Sequence, residues 1–361
     1  MPSTDPPSLR HHWLKSHPDF PWLDPNRPDV LERYLRNRSF ISPDQEVLGC
    51  SSAGDGNMNL TLRIHLEGES FILKQSRPWV EKYDWIEAPW ERDSVERRFY
   101  EHASKIRALD AFLPKLLYSD PAAHVLILED LPGATDMTSL YADEASLAPS
   151  EIDALANFLA VLHENSVAPD APVNTNRPMR QLNFEHIFKI PLERGRDLDG
   201  FEPGLEAAAE EFRNDLRARS ALKETGKRYL ADGTTRLHGD FFPGSWLRTE
   251  RGIGVIDFEF SFPGDAEFDL GVAAAHLVLG GHRATALHRF LDGYSKGRPG
   301  GAIDLARLAR YAGAEIMRRI LGVAQLPIPI AEPGLPIRSQ FLEIARSALV
   351  QGSLDPLRRS T

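Results

Sequence analysis

The hydrophobic periodicity of the sequence changes at Pro132-Gly133. This change limits the possible folds of the chain more than any other feature. Before this point, apolar and polar residues alternate over 60–66, which is typical of a half-buried strand. After it, apolar residues recur at helical spacing, most clearly over about 303–324. The pattern predicts an α+β protein with a mostly β first lobe, residues 1–130, and a mostly helical second lobe, residues 131–361.

The first lobe contains a predicted hairpin preceded by a glycine-rich loop. "EGES" is a turn signal after the alternating stretch and before "FILK", which ends at Lys74. The sequence "AGDGNMN", residues 53–59, comes just before the hairpin. On its own, "GDGN" is more often a hairpin turn than a nucleotide-binding loop.

Composition excludes several classes of protein. The formal net charge of −10 argues against a nucleic-acid or anionic-membrane binder, since both need a concentrated basic face. Cys50 is the only cysteine, so no intrachain disulfide can form, which fits a reducing compartment. No apolar run approaches the roughly 20 residues that span a bilayer, and the first 15 residues lack the apolar core of a secretion signal. We therefore expect a cytoplasmic protein.

Residues suited to phosphoryl transfer occur in a fixed order along the chain. The glycine loop comes first, followed by Lys74, by Asp240 in "HGD", and by Asp257 and Glu259 in "IDFE". This reaction needs backbone donors and a cation for the phosphates, carboxylates for Mg²⁺, and a base that orients the acceptor hydroxyl. The four features supply one part each, so their order predicts Mg²⁺-dependent kinase chemistry, with the choice between ATP and GTP left open.

Each feature alone also has a structural explanation. A lysine at a strand end is commonly solvated, and an aspartate before a Pro-Gly turn commonly caps that turn. Asp257 and Glu259 lie on one face if their segment is extended, but two such acids also suit a hydrated turn. Only the combination favours kinase chemistry.

The same segments resemble the aminoglycoside phosphotransferase and choline kinase superfamily, whose members have a bilobal, protein-kinase-like fold. The resemblance rests on "GDGNMN", "LKQSRPWVEKY", "LEDL", "HGDFFPGS", "IDFEFSFPGDAEFDLG" and "IMRRILGVAQLP", and extends over about 53–327. Within the superfamily, the chain is similar to the 5-methylthioribose kinases, because Asp-x-Glu, Ser245 and the pair Arg318-Arg319 occur together.

The resemblance implies a role for each matching residue. Asp240 would orient or deprotonate the acceptor hydroxyl, and Asp257 and Glu259 would hold Mg²⁺. Lys74 would contact the nucleotide phosphates, with Glu96 as its helix partner. Two further stretches would bind the nucleotide: the phosphate-covering residues Gly54, Asp55, Gly56, Asn57 and Asn59, and the adenine-contacting residues Glu129, Asp130 and Leu131.

Ser245 and Gly239 bear on whether the chain is a kinase of small molecules. Many superfamily members have a metal-binding asparagine at the position of Ser245, so the serine raises the alternative of a nucleotide-binding pseudokinase. We favour an active enzyme, because methylthioribose kinases look similar here and Glu259 offers a replacement carboxylate. Ser245 is kept as a candidate third metal ligand. Protein kinases carry an arginine where this chain has Gly239, which favours a small-molecule acceptor.

Arg318 and Arg319 are the candidate acceptor-binding residues. They could equally compensate charge at the end of a helix. From the resemblance, the pair binds the hydroxyls of a furanose sugar, and two arginines would repel a cationic aminoglycoside or choline. The predicted acceptor is therefore 5-methylthioribose or a close analogue, with an aminoglycoside, an amino alcohol or another sugar as alternatives. The related kinases also suggest a homodimer.

Trp79, Trp85 and Trp90 lie within twelve residues. Such a cluster serves either as a packing anchor or as a loop that closes over the substrate, with Trp79 as the candidate contact. We expect structural roles for His238 and for Asp269, which either caps a helix or binds the backbone of "HGD".

Overall fold

The computed structural model describes residues 8–54, 56, 58–142, 146–165, 175–282, 284–328 and 337–358. The chain forms two compact units, which we call the N-terminal unit (Met1–Ala134) and the C-terminal unit (Thr135–Thr361). The sequence analysis placed a lobe boundary after residue 130.

The N-terminal unit is built on an antiparallel sheet of five strands. Its helices are α1 (Leu9–Ser16), α2 (Pro28–Asn37) and α3 (Arg92–Ala103). Its strands are β1 (Gly49–Ser52), β2 (Leu60–His65), β3 (Ser70–Gln75), β4 (Trp79–Val80), β5 (Tyr83–Glu87), β6 (Leu116–Asp120) and β7 (Val125–Glu129). The sheet order is β1-β2-β3-β7-β6, and β4 and β5 form a separate pair.

The core of this unit explains its strands. Burial alternates along β2 as the sequence pattern predicts, whereas β7 is buried at four successive positions, so both of its faces are covered. Leu31 and Leu35 of α2 belong to the same buried cluster as the inward side chains of β2 and β3. The hairpin pairs Leu60 with Gln75 and His65 with Ser70, so Lys74 lies on a strand with a neighbour on each side.

The C-terminal unit is mostly helical. Its helices are α4 (Pro149–Glu164), α5 (Arg177–Phe184), α6 (Leu205–Asn214), α7 (Leu216–Leu230), α8 (Ala266–Leu279), α9 (Ala284–Gly297), α10 (Leu305–Leu321), α11 (Ile337–Gln351) and α12 (Asp355–Arg358). Its strands are β8 (Thr135–Asp136), β9 (Thr235–Leu237), β10 (Trp246–Thr249), β11 (Gly252–Val255) and β12 (Phe262–Gly264). A π-helical segment, Glu185–Lys189, follows α5.

Short strands and one buried helix position two loops of this unit. β9 pairs with β12, and β10 pairs with both β11 and β8. The segment 238–245 joins β9 to β10, and the segment 256–261 joins β11 to β12. α8 is buried along nearly its whole length and packs against α10. Within the described part of the chain, no helix combines the length and hydropathy needed to cross a bilayer.

Candidate active site

In the N-terminal unit, Lys74 and Glu96 form a buried ion pair. Lys74 Nζ lies 2.9 Å and 2.8 Å from the two carboxylate oxygens of Glu96 on α3. Both side chains are buried, so solvent screens their attraction little. The pairing that the resemblance implies is therefore present in the structure, and it fixes the lysine ammonium at the end of β3.

Lys74→Met is expected to destabilise the protein by about 3 kcal/mol, because it removes the cation beside a buried carboxylate. Lys74→Met combined with Glu96→Leu should recover most of that stability without restoring nucleotide binding. Urea denaturation and calorimetric titration with ATP test the two effects. Lys227→Met is the matched control, since its ion pair with Glu224 is 62% exposed on both sides and should contribute under about 1 kcal/mol. Equal destabilisation by the single and double variants would contradict the expectation.

The glycine loop is anchored at its C-terminal end by Arg92 of α3. Arg92 Nε donates to Asn59 Oδ1 at 2.9 Å, and Nη2 donates to Met58 O at 2.7 Å. Asn59 also accepts from the Ser76 hydroxyl at 3.1 Å. Gly54 has φ +109°, which favours glycine. Asp55 and Asn57 lie outside the described residues.

Arg92 was not singled out from the sequence. Its segment shows only the spacing of an ordinary helix, and nothing local indicates that the guanidinium reaches the loop. The helix that carries Glu96 therefore holds the loop as well as the lysine.

The candidate adenine-contacting stretch is held to the sheet by its side chains. Glu129 Oε2 accepts from the backbone N–H of Lys115 at 3.1 Å. Asp130 Oδ2 accepts from Arg63 Nε at 2.8 Å and from Ser70 Oγ at 2.6 Å. Leu131 is buried. Contact of this backbone with a nucleotide stays a prediction.

Trp79 is fully buried in the N-terminal unit. Its indole packs against Trp22, with ring centroids 5.3 Å apart, and donates to Glu81 Oε2 at 3.1 Å. Trp90 stacks on Trp22 and on His124, whereas Trp85 is 46% exposed. The burial of Trp79 favours the packing role over a contact with substrate.

In the C-terminal unit, Asp269 on α8 holds the backbone of the "HGD" loop. Its carboxylate accepts from the N–H groups of His238, at 2.7 Å, and Gly239, at 3.0 Å. Gly239 has φ +89°, and a Cβ there would lie 2.1 Å from the carbonyl oxygen of Phe260. Only glycine fits this crossing of the two loops. Of the two roles considered for Asp269, the structure shows the backbone contact.

His238 links the two loops. Its Nδ1 accepts from the backbone N–H of Asp240 at 3.2 Å, so Nε2 carries the proton and donates to Ile256 O at 2.9 Å. Complete burial lowers the pKa of His238, which keeps the imidazole neutral. The neutral ring fixes the backbone just before Asp257 relative to that of Asp240.

Ser245 closes the loop that carries Asp240. Its fully buried hydroxyl lies 2.8 Å from Asp240 O and 2.9 Å from Phe242 O, and it also accepts from the N–H of Phe242 at 3.3 Å. These hydrogen bonds give Ser245 a structural role that does not require a metal ion. Ligation of a metal by Ser245 stays a prediction.

The expectation that Asp257 and Glu259 lie on an extended segment is wrong. β11 ends at Val255, and Asp257, with φ 69° and ψ 63°, begins a 3₁₀ turn over Phe258–Phe260. Non-glycine residues in this conformation are uncommon and often occur at functional sites.

The two carboxylates alone would suit only a partly hydrated metal. The described part of the chain contains no group of three His, Cys, Asp or Glu side chains arranged to hold a metal ion. Mg²⁺ keeps several waters and needs only one or two protein carboxylates beside substrate phosphates. Asp257 and Glu259 fit that requirement.

Asp240 lies beside both candidate acceptor-binding arginines. Its Oδ1 is 3.5 Å from Arg318 Nη1 and 3.9 Å from Arg319 Nη2, both on the last turn of α10. This oxygen is buried and has no hydrogen-bond partner among the described residues. Arg319 is buried too, so it does not act as a surface charge at the helix end. The two cations hold this buried oxygen in place, and the side chain of Asp240 as a whole is 18% exposed, so its carboxylate stays accessible to a substrate hydroxyl.

Glu315, which was not predicted from the sequence, binds both arginines through its buried carboxylate. Its Oε1 accepts from Arg319 Nε at 2.6 Å, and its Oε2 accepts from Arg318 Nη1 at 3.1 Å. Burial opposes ionisation, but the two arginines hold the pKa of Glu315 well below its usual range. The spacing of three and four residues along α10 was the available sequence signal.

His276 continues this buried network. Its Nε2 lies 3.1 Å from Glu315 Oε1, and its Nδ1 lies 2.6 Å from the Tyr141 hydroxyl. Burial lowers the pKa of His276 to about 4. A neutral ring can donate to Glu315 and accept from Tyr141, so both bonds are satisfied without a further charge.

The depressed pKa of His276 predicts a stability that is lost in acid. The unfolded chain binds this proton near pH 6.5 and the folded chain only near pH 4, so the free energy of unfolding falls as the pH is lowered between these values. His276 accounts for about 3 kcal/mol of this fall in the free energy of unfolding. Urea denaturation at pH 7 and pH 4.5 should show a smaller difference in His276→Gln than in the wild type, and an unchanged difference in the exposed-site control His288→Gln. A difference unaltered by His276→Gln would refute this assignment.

Comparison with known proteins decides the family. Residues 50–310 match the model of the APH phosphotransferase enzyme family. The chain belongs to this family. The methylthioribose kinase of Erwinia tasmaniensis is 27% identical, with 90% of this chain and 92% of that protein aligned. That of Bacillus pumilus is 24% identical over 88% and 89%. For the methylthioribose kinase of Exiguobacterium sibiricum, also 27% identical, the alignment spans 70% of this chain and 65% of that protein.

Solved structures agree with this family in fold. The choline kinase LicA from Streptococcus pneumoniae superposes with a TM-score of 0.52 at 15% identity, over 90% of this chain and 97% of LicA. An amicoumacin kinase in complex with AMP-PNP and Ca²⁺ gives 0.53 at 14% identity, over 94% and 96%. The α+β fold, the resemblance to this superfamily and the assignment to phosphotransferases are thereby confirmed.

Proposed function

We propose that this phosphotransferase is an ATP- and Mg²⁺-dependent kinase that phosphorylates a hydroxyl of a small sugar, 5-methylthioribose or a close analogue. The partly exposed carboxylate of Asp240, held beside Arg318 and Arg319, is the observation that carries the proposal. The curated methylthioribose kinases aligned with this chain support the choice of sugar.

Asp240 is the proposed catalytic residue. Its carboxylate accepts the proton of the acceptor hydroxyl as the hydroxyl oxygen forms its bond to the γ-phosphorus. The bond from this phosphorus to the β,γ-bridging oxygen breaks, and ADP is the leaving group. Arg318 and Arg319 bind the acceptor, because their remaining N–H groups can donate to sugar oxygens.

Residues of the N-terminal unit are assigned to the nucleotide, and residues of the C-terminal unit are assigned to the metal. Lys74, fixed by Glu96, binds phosphate oxygens, and the glycine loop covers them with backbone N–H groups. Asp257 and Glu259 hold Mg²⁺. When bound, Mg-ATP supplies the phosphoryl group and a cation that neutralises charge on the phosphate oxygens. Cytoplasmic location and a homodimer remain predictions from the sequence.

ADP release with Mg-ATP and a panel of acceptors tests the proposal. The panel contains 5-methylthioribose, ribose, an aminoglycoside and choline. The expected result is the highest kcat/KM on methylthioribose. Turnover confined to the cationic acceptors would contradict the proposed substrate. No turnover with any acceptor, while calorimetry still detects ATP binding, would instead identify a pseudokinase.

A further inference from the structure

Four charged side chains meet at the candidate acceptor site. The carboxylates of Asp240 and Glu315 face the guanidinium groups of Arg318 and Arg319, with contacts between 2.6 Å and 3.9 Å. The side chain of Glu315 is only 1% exposed, and that of Asp240 is 18% exposed. The two positive and two negative charges balance.

The neighbouring histidines and tyrosines add no charge near neutral pH. Burial lowers the pKa of His276 to about 4, and burial together with Arg318 lowers that of His186 to about 4. Burial raises the pKa values of Tyr141 and Tyr229 above their ordinary value. The four carboxylate and guanidinium groups are therefore the charges in direct contact with one another at this site.

Burying Glu315 is costly for stability, since two charges desolvated together often contribute less than an apolar pair of the same volume. An exposed glutamate at this helical spacing would stabilise α10 without that cost. Its place behind the arginines has a chemical consequence. Without it, two cations would face the acceptor and only Asp240 would oppose them.

We propose that Glu315 determines acceptor specificity by balancing Arg318 and Arg319, so that the site accepts an uncharged sugar and does not retain an anionic one. The inference rests on the proposed function. It adds that the phosphorylated sugar, which carries negative charge, leaves more readily because Glu315 cancels the attraction of the arginines. Glu315 contacts the arginines and not the substrate, so it is a positioning residue.

Calorimetric titration of the protein with ribose 5-phosphate, without nucleotide, tests this role. We expect E315Q to bind ribose 5-phosphate at least about tenfold more tightly than the wild type, because one negative charge beside the arginines is lost. Glu151→Gln is the matched control, since Glu151 pairs with Arg248 in the same unit, at 2.6 Å, and should leave the affinity unchanged. Equal affinity in E315Q and the wild type would overturn the proposal.

A second variant keeps the test decisive if E315Q does not fold. Arg318→Gln leaves the carboxylates in excess and removes the same sugar contacts for every ligand, so its affinity for 5-amino-5-deoxyribose, a cation, relative to that for uncharged ribose should exceed the wild-type ratio about tenfold. An unchanged ratio would count against charge balance. The acceptor assay separates the two proposals, since failure of the kinase appears there as absent turnover in the wild type, whatever E315Q binds.

Discussion

Asp240→Asn is expected to lower kcat by a factor of about 10² to 10⁴, the range associated with loss of a positioned general base. The amide keeps the shape of the side chain, but it cannot take a proton from the acceptor hydroxyl. Its backbone contacts, to His238 and Ser245, do not involve the carboxylate. The fold and ATP affinity should therefore be retained. Steady-state ADP release, thermal melting and calorimetry with ATP measure the three properties.

Asp153→Asn is the matched control for this experiment. Asp153 is also an ion-paired aspartate of the C-terminal unit, but it pairs with Arg289 at the surface and is 48% exposed. Its substitution should leave kcat unchanged. A kcat of Asp240→Asn within about threefold of the wild type would remove Asp240 from the catalytic role, since a lost general base has a far larger effect.

The structural features that could be predicted from the sequence are those with a local pattern and those in which a motif orders several residues. The alternation over 60–66 predicted the hairpin, and helical spacing predicted α10, with ends two to three residues inside the expected range. The pair of Lys74 with Glu96 could be anticipated because the resemblance supplied both positions. Such features depend on spacing along the chain, which the sequence records directly.

Other features of the site depend on tertiary contacts. Asp257 takes a left-handed conformation, although its apolar neighbours indicated a continuing strand. Glu315 pairs with Arg318 and Arg319 of the same helix, α10. It also contacts His276 on α8, 39 residues away in the sequence. The role of Ser245 in closing its loop also became visible only when the turn was formed. Propensity and periodicity carry little information about such contacts.

The carboxylate of Asp269 is the other point at which a single change should have a large effect. Its Oδ1 accepts from Gly239 N–H, and its Oδ2 accepts from His238 N–H and lies 3.1 Å from His163 Nε2. The side chain is fully buried. Asparagine offers one acceptor oxygen, so its NH₂ group would meet a backbone N–H that has lost its partner.

Asp269→Asn is therefore expected to cost about 3 kcal/mol, the range for buried charge-assisted bonds that are broken on one side. For a unit of this size, the melting temperature should fall by roughly 5–10 °C. Activity should fall at least about tenfold even below the melting transition, because a displaced "HGD" backbone misplaces Asp240 relative to the acceptor. Thermal melting and ADP release at a temperature where the variant is folded separate the two effects.

Asp304→Asn is the matched control, because Asp304 also accepts two backbone N–H groups, at the start of α10, but is 46% exposed. Asparagine and aspartate serve nearly equally well as helix N-caps, so this variant should melt close to the wild type. If Asp269→Asn behaved like Asp304→Asn, the buried carboxylate would not be what holds the loop. A variant that melts early but keeps full activity when folded would show that Asp240 is positioned by His238 and Ser245 alone.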